Sequence, residues 1–113
     1  MLKEIHIGEH EVTMLSNAAT PVIYRGVFQE DLLVFLQKMS ATKGIAEGMT
    51  DMVCKLAYVM TMQAENKKMR DMNFDKFIDW LSEFQPLDFE NSAGEILALY
   101  TDSGRTLSKS KKA

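Results

Sequence analysis

The apolar positions of this chain change period along its length. Leu2-Lys3-Glu4-Ile5-His6-Ile7 and Glu11-Val12-Thr13-Met14-Leu15 have extended, partly β-branched character, with Gly8-Glu9-His10 between them as a turn. That pattern predicts an N-terminal β-hairpin. Two strands alone are marginal in water, so the hairpin must pack on helices or pair with another chain. Ser16-Asn17-Ala18-Ala19 reads as a connector.

From Thr20 onward the period becomes helical. Thr20 is placed to cap a helix that Pro21 opens, since proline has a preset φ and gives up no needed donor there. Val22, Ile23, Val27 and Phe28 form its apolar side, and Gly26 weakens it. Glu30-Asp31 opens a second short helix carrying Leu32, Leu33, Phe35, Leu36 and Met39. Residues 40–48 read as a loop with glycines at 44 and 48.

The longest helix is expected from Met49 or Thr50 to Asn66. Met49, Met52, Val53, Leu56, Val59, Met60 and Gln63 follow steps of three and four, with Ala57 and Ala64 extending the stripe. Tyr58 and Met62 lie beside it. Residues 67–72 read as a connector. Asn73-Phe74-Asp75 opens a further helix with Phe74, Phe77, Ile78, Leu81 and Phe84 on one face and Trp80 adjoining, ended by Pro86. Asp88 is placed to cap a last helix with Phe89, Ile96, Leu97, Leu99 and Tyr100 as its apolar side, stopping near Gly104. The fold expected is α+β and mainly α, a hairpin packed on about five helices. Residues 1–104 make a single domain, and residues 105–113 a disordered basic tail without periodicity.

Composition narrows the class of protein. At 113 residues, with 46% apolar and 26% charged positions, one globular core is expected. The net charge of −3 hides an asymmetry, because residues 103–113 hold Arg105, Lys109, Lys111 and Lys112 without an acid, leaving −7 on the rest. An acidic body argues against a nucleic-acid partner, which needs clustered cations. No apolar run approaches the ~20 residues that cross a bilayer, so no membrane role is expected. A lone cysteine and no secretory pattern at residues 1–6 point to the cytoplasm.

No catalytic, cofactor or metal site is expected. His6 and His10 flank a turn, but no Cys, Asp or Glu stands at ligand spacing around them. Cys54 sits mid-helix between Val53 and Lys55 and reads as a small buried hydrophobe. The carboxylate pairs Glu30-Asp31 and Asp88-Glu90 fall at helix starts, where negative charge is favourable without any catalytic purpose. Phosphate-loop, nucleophile-elbow and dinucleotide motifs are missing. Nine methionines stand out instead. Flexible thioethers fill cores, but they also let a surface repack around different apolar partners.

Thr20-Pro21-Val22-Ile23-Tyr24-Arg25, then Phe28, then Asp31-Leu32-Leu33, resembles a pattern of tail assembly chaperones from siphophages and prophages of Gram-positive bacteria. Leu56-Ala57-Tyr58-Val59-Met60 and Phe77-x-x-Trp80-Leu81 fit the same resemblance, which covers roughly residues 1–102. One position departs: the pattern has glycine after the phenylalanine, where this chain has Gln29.

The resemblance implies a non-enzymatic protein without cofactors that coats the tape measure protein until tail tube subunits displace it. It also implies homo-oligomers suited to a rod-shaped client and, in many such phages, a frameshifted longer form. Within the motif, Tyr24, Arg25 and Asp31 are the candidate partner-binding residues, with Arg25 and Asp31 placed to pair. Tyr58, Met62 and Met69, the overflow of an apolar stripe wider than one core-facing side requires, are candidates for a client groove. The competing reading is a small helical phage- or prophage-encoded adaptor or inhibitor of a host protein.

Overall fold

The computed structural model describes residues 2–34, 37 and 49–112, and in the last stretch the side chains of residues 50–101. Strands β1 (Leu2–Ile7) and β2 (His10–Leu15) pair antiparallel, with Ile5 opposite Val12 and Ile7 opposite His10. Strict alternation puts Ile5, Ile7 and Met14 on the buried face and Glu4, His6, Glu11 and Thr13 on the open one. The turn is one residue tighter than the sequence suggests, because His10 belongs to β2. Gly8 supplies the positive φ of +63° that a two-residue, glycine-first hairpin loop demands.

Helix α1 spans Thr20–Phe28, and α2 spans Met49–Ala64. A 3₁₀ turn at Met69–Asp71 interrupts the expected connector, after which come α3 (Phe74–Leu81) and α4 (Pro86–Lys112). Residues 32–34 are helical, in the place of the second short helix. Phe35, Leu36, Met39, the loop at 40–48 and the side chain of Met49 lie outside the described residues. The mainly helical α+β architecture, a hairpin packed on helices, is therefore the one observed.

The hairpin, α1, α3 and α4 all pack on α2. Met52, Val53, Cys54, Leu56, Ala57, Tyr58, Val59, Met60 and Thr61 are buried, so α2 has core neighbours around most of its circumference. Around Tyr58 the rings run in a continuous series. Phe28, Phe77 and Trp80 lie 6.3, 5.5 and 5.6 Å from it, and Trp80 continues to Phe84 and Phe89 at 5.0 and 5.8 Å. Such tilted and edge-to-face pairs contribute about 0.5–1.5 kcal/mol each beyond their buried area. The start of α4 is tied to β1 by the Ser92 hydroxyl, which donates to the His6 carbonyl at 2.6 Å.

Several local expectations need correction. Thr20 does not cap α1. It is the first helical residue, is fully buried, and donates its hydroxyl to Gln63 Oε1 at 2.7 Å while accepting from the Asn17 N–H at 3.0 Å. Gln63 also donates to Asn17 Oδ1 at 3.1 Å, so this polar cluster ties the connector to the end of α2. Pro86 does not close α3, which ends at Leu81. It opens α4, with the Gln85 N–H held by Asp88 Oδ2 at 2.9 Å.

On α3 the buried residue is Phe77, with Trp80 and Leu81 half-buried, as is Phe84 just beyond it, while Phe74 and Ile78 face outward. The backbone of α4 continues past Gly104 to Lys112, making it longer than α2. An internal glycine costs a helix only about 1 kcal/mol, and no proline follows to stop it.

A Cβ at Gly8 would stand 2.5 Å from the Asp88 carboxylate carbon, which its bond to Gln85 holds in place. Gly8→Ala should lower stability by about 1–3 kcal/mol in thermal or urea unfolding, from the left-handed backbone and the clash together. Gln29, where the chaperone pattern has glycine, adopts φ 59° and ψ 33° as the C-cap of α1. The turn forms regardless, its N–H bonding the Arg25 carbonyl at 2.9 Å. Gln29→Gly should therefore raise stability by about 0.5–1 kcal/mol in the same measurement.

Candidate functional site

The chaperone-like motif divides between the core and the surface. Thr20, Tyr24 and Leu32 are buried, whereas Val22, Arg25, Asp31 and Leu33 are exposed. Spacing explains Thr20 and Tyr24, which stand one helical turn apart on the face of α1 that meets α2. The Tyr24 hydroxyl donates to Glu30 Oε1 at 3.1 Å. Burial first, and the neighbouring Glu30 carboxylate second, push its ionisation far above the ordinary tyrosine range.

Arg25 and Asp31 do not form the expected ion pair. Asp31 instead caps the helical turn that follows, its Oδ1 accepting from the Leu33 N–H at 3.0 Å. The pair that forms is Glu30 with Lys55, whose Nζ lies 3.1 Å from both carboxylate oxygens and 5.4 Å from the centre of the Phe28 ring. Lys55 sits on α2 among buried neighbours, with its side chain 14% exposed. Sequence reasoning had no access to this contact, because the partners are 25 positions apart and on different elements.

The other candidates separate as well. Tyr58 is a core residue at 2% exposure, its ionisation raised by burial against an opposing backbone hydrogen bond from Asn73. Half-buried Met62 joins it along a shallow groove of about 380 Å³ that Lys67, Asp71, Lys76 and Trp80 complete. Met69 lies elsewhere. Its thioether rests on Gly26 of α1 and the side chain remains 47% exposed.

Residues missed as surface candidates are Val22 on α1 and Phe74 and Ile78 on α3, at 67%, 54% and 43% exposure. Phe74 meets Phe77 at 5.8 Å, and Phe77 meets Phe28 at 5.2 Å, two residues beyond Gly26. Apolar side chains therefore stand exposed on α1, the 3₁₀ turn and α3. Periodicity placed Phe74 and Ile78 on the apolar face of α3. It could not show that the core takes only the Phe77–Leu81 side of that face.

Nucleophile and metal chemistry find little here. Cys54 is buried, and burial first, then Asp51, pushes its thiol up to about 11, so it is neutral at physiological pH. His6 meets Glu11 at 3.4 Å on the open face of the hairpin, and His10 stacks edge-on against Phe84 at 4.9 Å. Among the described residues no group of His, Cys, Asp and Glu has the arrangement of a metal site, and no helix is long and apolar enough to cross a membrane. No family model, curated protein or solved structure matches this chain.

Lys55 and Arg25 differ in what their loss costs the fold. Lys55→Ala leaves a partly buried Glu30 without its cation and should cost about 1–3 kcal/mol of stability, below the range for fully buried pairs. Arg25→Ala changes an exposed side chain and should stay within about 0.5 kcal/mol. Urea unfolding of both variants measures the difference, and equal effects would place Arg25 in the fold's polar framework beside Lys55.

Proposed function

We propose that this chain is a tail assembly chaperone of the siphophage and prophage kind, acting in the host cytoplasm without catalysis or cofactor. In this reading it holds amphipathic helical segments of the tape measure protein until tail tube subunits replace it. The observation that carries the reading is a group of large apolar side chains left in water on α1, the 3₁₀ turn and α3, namely Val22, Met69, Phe74 and Ile78, with Leu2, Leu33, Val34 and Leu87 exposed elsewhere. They stand on the surface of a chain that already has a full core. Side chains of this kind, spaced about one helical turn apart on α3, suit the apolar stripe of a client helix. Met69 adds an unbranched thioether that can adjust to clients of varied sequence.

The motif residues support the same reading in a different way. Thr20, Tyr24 and Leu32 build the fold and leave the adjoining Val22 and Arg25 free to meet a partner. The chaperone reading thus asks for client contacts at the exposed positions and for stability at the buried ones.

Co-expression with the tape measure protein that this reading expects to be encoded beside the chain, followed by affinity pull-down, tests the reading. The pair should co-purify and the tape measure protein should remain soluble. Met69→Glu with Phe74→Glu should reduce recovery of the client at least tenfold, while the exposed positions keep the loss of stability near about 0.5 kcal/mol per site. A tape measure protein that stays insoluble and unbound with the wild-type chain would favour the adaptor reading instead.

A further inference from the structure

A second surface has a different character. A groove of about 550 Å³ opens between β2, the end of α2 and the end of α3. Val12, Thr61, Trp80 and Phe84, buried or half-buried, make its floor, and the exposed Glu11, Glu65 and Glu83 stand along its edge. No lysine or arginine lines it. The remaining ionisable group is His10, packed against Phe84. Glu11 has His6 as a neighbour, while among the described residues neither Glu65 nor Glu83 is in an ion pair. The groove thus combines aromatic walls with uncompensated carboxylates, a setting for the long aliphatic stems and charged ends of Lys or Arg.

The chain itself carries a segment of that chemistry. Residues 103–113 contain Arg105, Lys109, Lys111 and Lys112 and no acid. The backbone of residues 103–112 continues α4, which begins beside the groove: Phe89 lies 5.8 Å from Trp80 and 5.2 Å from Phe84. At 1.5 Å per residue, the helix carries Lys109 about 30 Å from Phe89, so the basic end cannot reach the groove of its own copy. Among the described residues the last buried side chain on α4 is Leu99. A polar helical end of about a dozen residues is marginal in water by itself and gains order from a partner.

We propose that the basic end of α4, residues 105–112, seats in the Glu11–Glu65–Glu83 groove of a second copy. Groove and basic segment lie at opposite ends of one helix, so the contact is head-to-tail. Each docking leaves one free groove and one free basic end, and assembly continues into a closed ring or an open filament according to the angle between copies. The inference deepens the chaperone reading, whose resemblance implies homo-oligomers, by naming the two surfaces that join, and it does not depend on which client is held.

Sedimentation velocity on the full chain tests it, at about 0.05 M and about 0.5 M salt, since screening weakens exposed charge pairs. Concentration-dependent species larger than the monomer are expected at low salt, with monomer at high salt. A chain lacking residues 105–113 should be monomeric at both, with an unchanged melting temperature. The double variant Glu65→Lys/Glu83→Lys and the triple variant Lys109→Glu/Lys111→Glu/Lys112→Glu should each be monomeric alone. Mixed together they should reassemble, the basic end of the first entering the native groove of the second and the acidic end of the second entering the reversed groove. A wild-type chain that is monomeric at low salt overturns the proposal. So does an assembly that survives either variant, or a mixture that stays monomeric while both variants are folded.

Discussion

Residues 52–61 of α2 are almost entirely buried, and the one cation among them, Lys55, has to be neutralised where it stands. A lysine in such surroundings is tolerated when a carboxylate meets it and the remaining donors and acceptors are satisfied. Glu30 does both, binding Lys55 through two oxygens and taking the hydrogen bond of Tyr24. The position of Glu30 is in turn fixed by the sharp exit from α1, where Gln29 takes a left-handed conformation. The packing of the hairpin, α3 and α4 against α2 is non-directional hydrophobic burial. This pair is directional, and it sets where α1 ends relative to α2.

That constraint gives the chaperone-like motif a physical meaning. Thr20 closes a polar cluster with Asn17 and Gln63, Tyr24 reaches Glu30, Phe28 lies under the Lys55 ammonium, and Asp31 caps the next turn. The buried motif positions satisfy polar groups or fill space, so the motif is first a folding signal. Arg25 stands apart from this network, exposed one residue from buried Tyr24.

Much of the fold was legible because its periods are clean. The alternation at Ile5 and Ile7 marked the hairpin's buried face, and the stripe of Met52, Val53, Leu56, Val59 and Met60 marked α2. What period cannot show is how many sides of an element are covered. Tyr58 and Met62 read as overflow because a single core-facing side was assumed, whereas α3 covers Tyr58 from the flank. Phe74 and Ile78 read as core for the converse reason: α3 buries only part of its apolar face. The Glu30–Lys55 pair was hidden by distance along the chain, and the Arg25–Asp31 pairing was suggested by closeness alone. Thr20-Pro21 signalled the start of α1 correctly, whereas Pro86, read as a stop, opens α4. Their roles shifted because Thr20 found a buried partner in Gln63 and Pro86 fits the first turn of α4.

Two of the apolar residues left in water, Met69 and Phe74, sit on short and lightly anchored elements. Met69 belongs to a 3₁₀ turn of three residues without a buried member, and Phe74 is the first residue of an eight-residue helix held at its start by the Asn73 cap. Short elements of this kind open and adjust at lower free energy than a central helix such as α2. A surface that must accept helices of varied sequence benefits from that arrangement, because its side chains and backbone can shift without disturbing the Lys55 cluster. Burying such residues in a rigid site would favour one partner shape over the others. In the proposed reading, this division between a fixed centre and an adjustable edge lets the edge follow its client while the centre keeps its geometry.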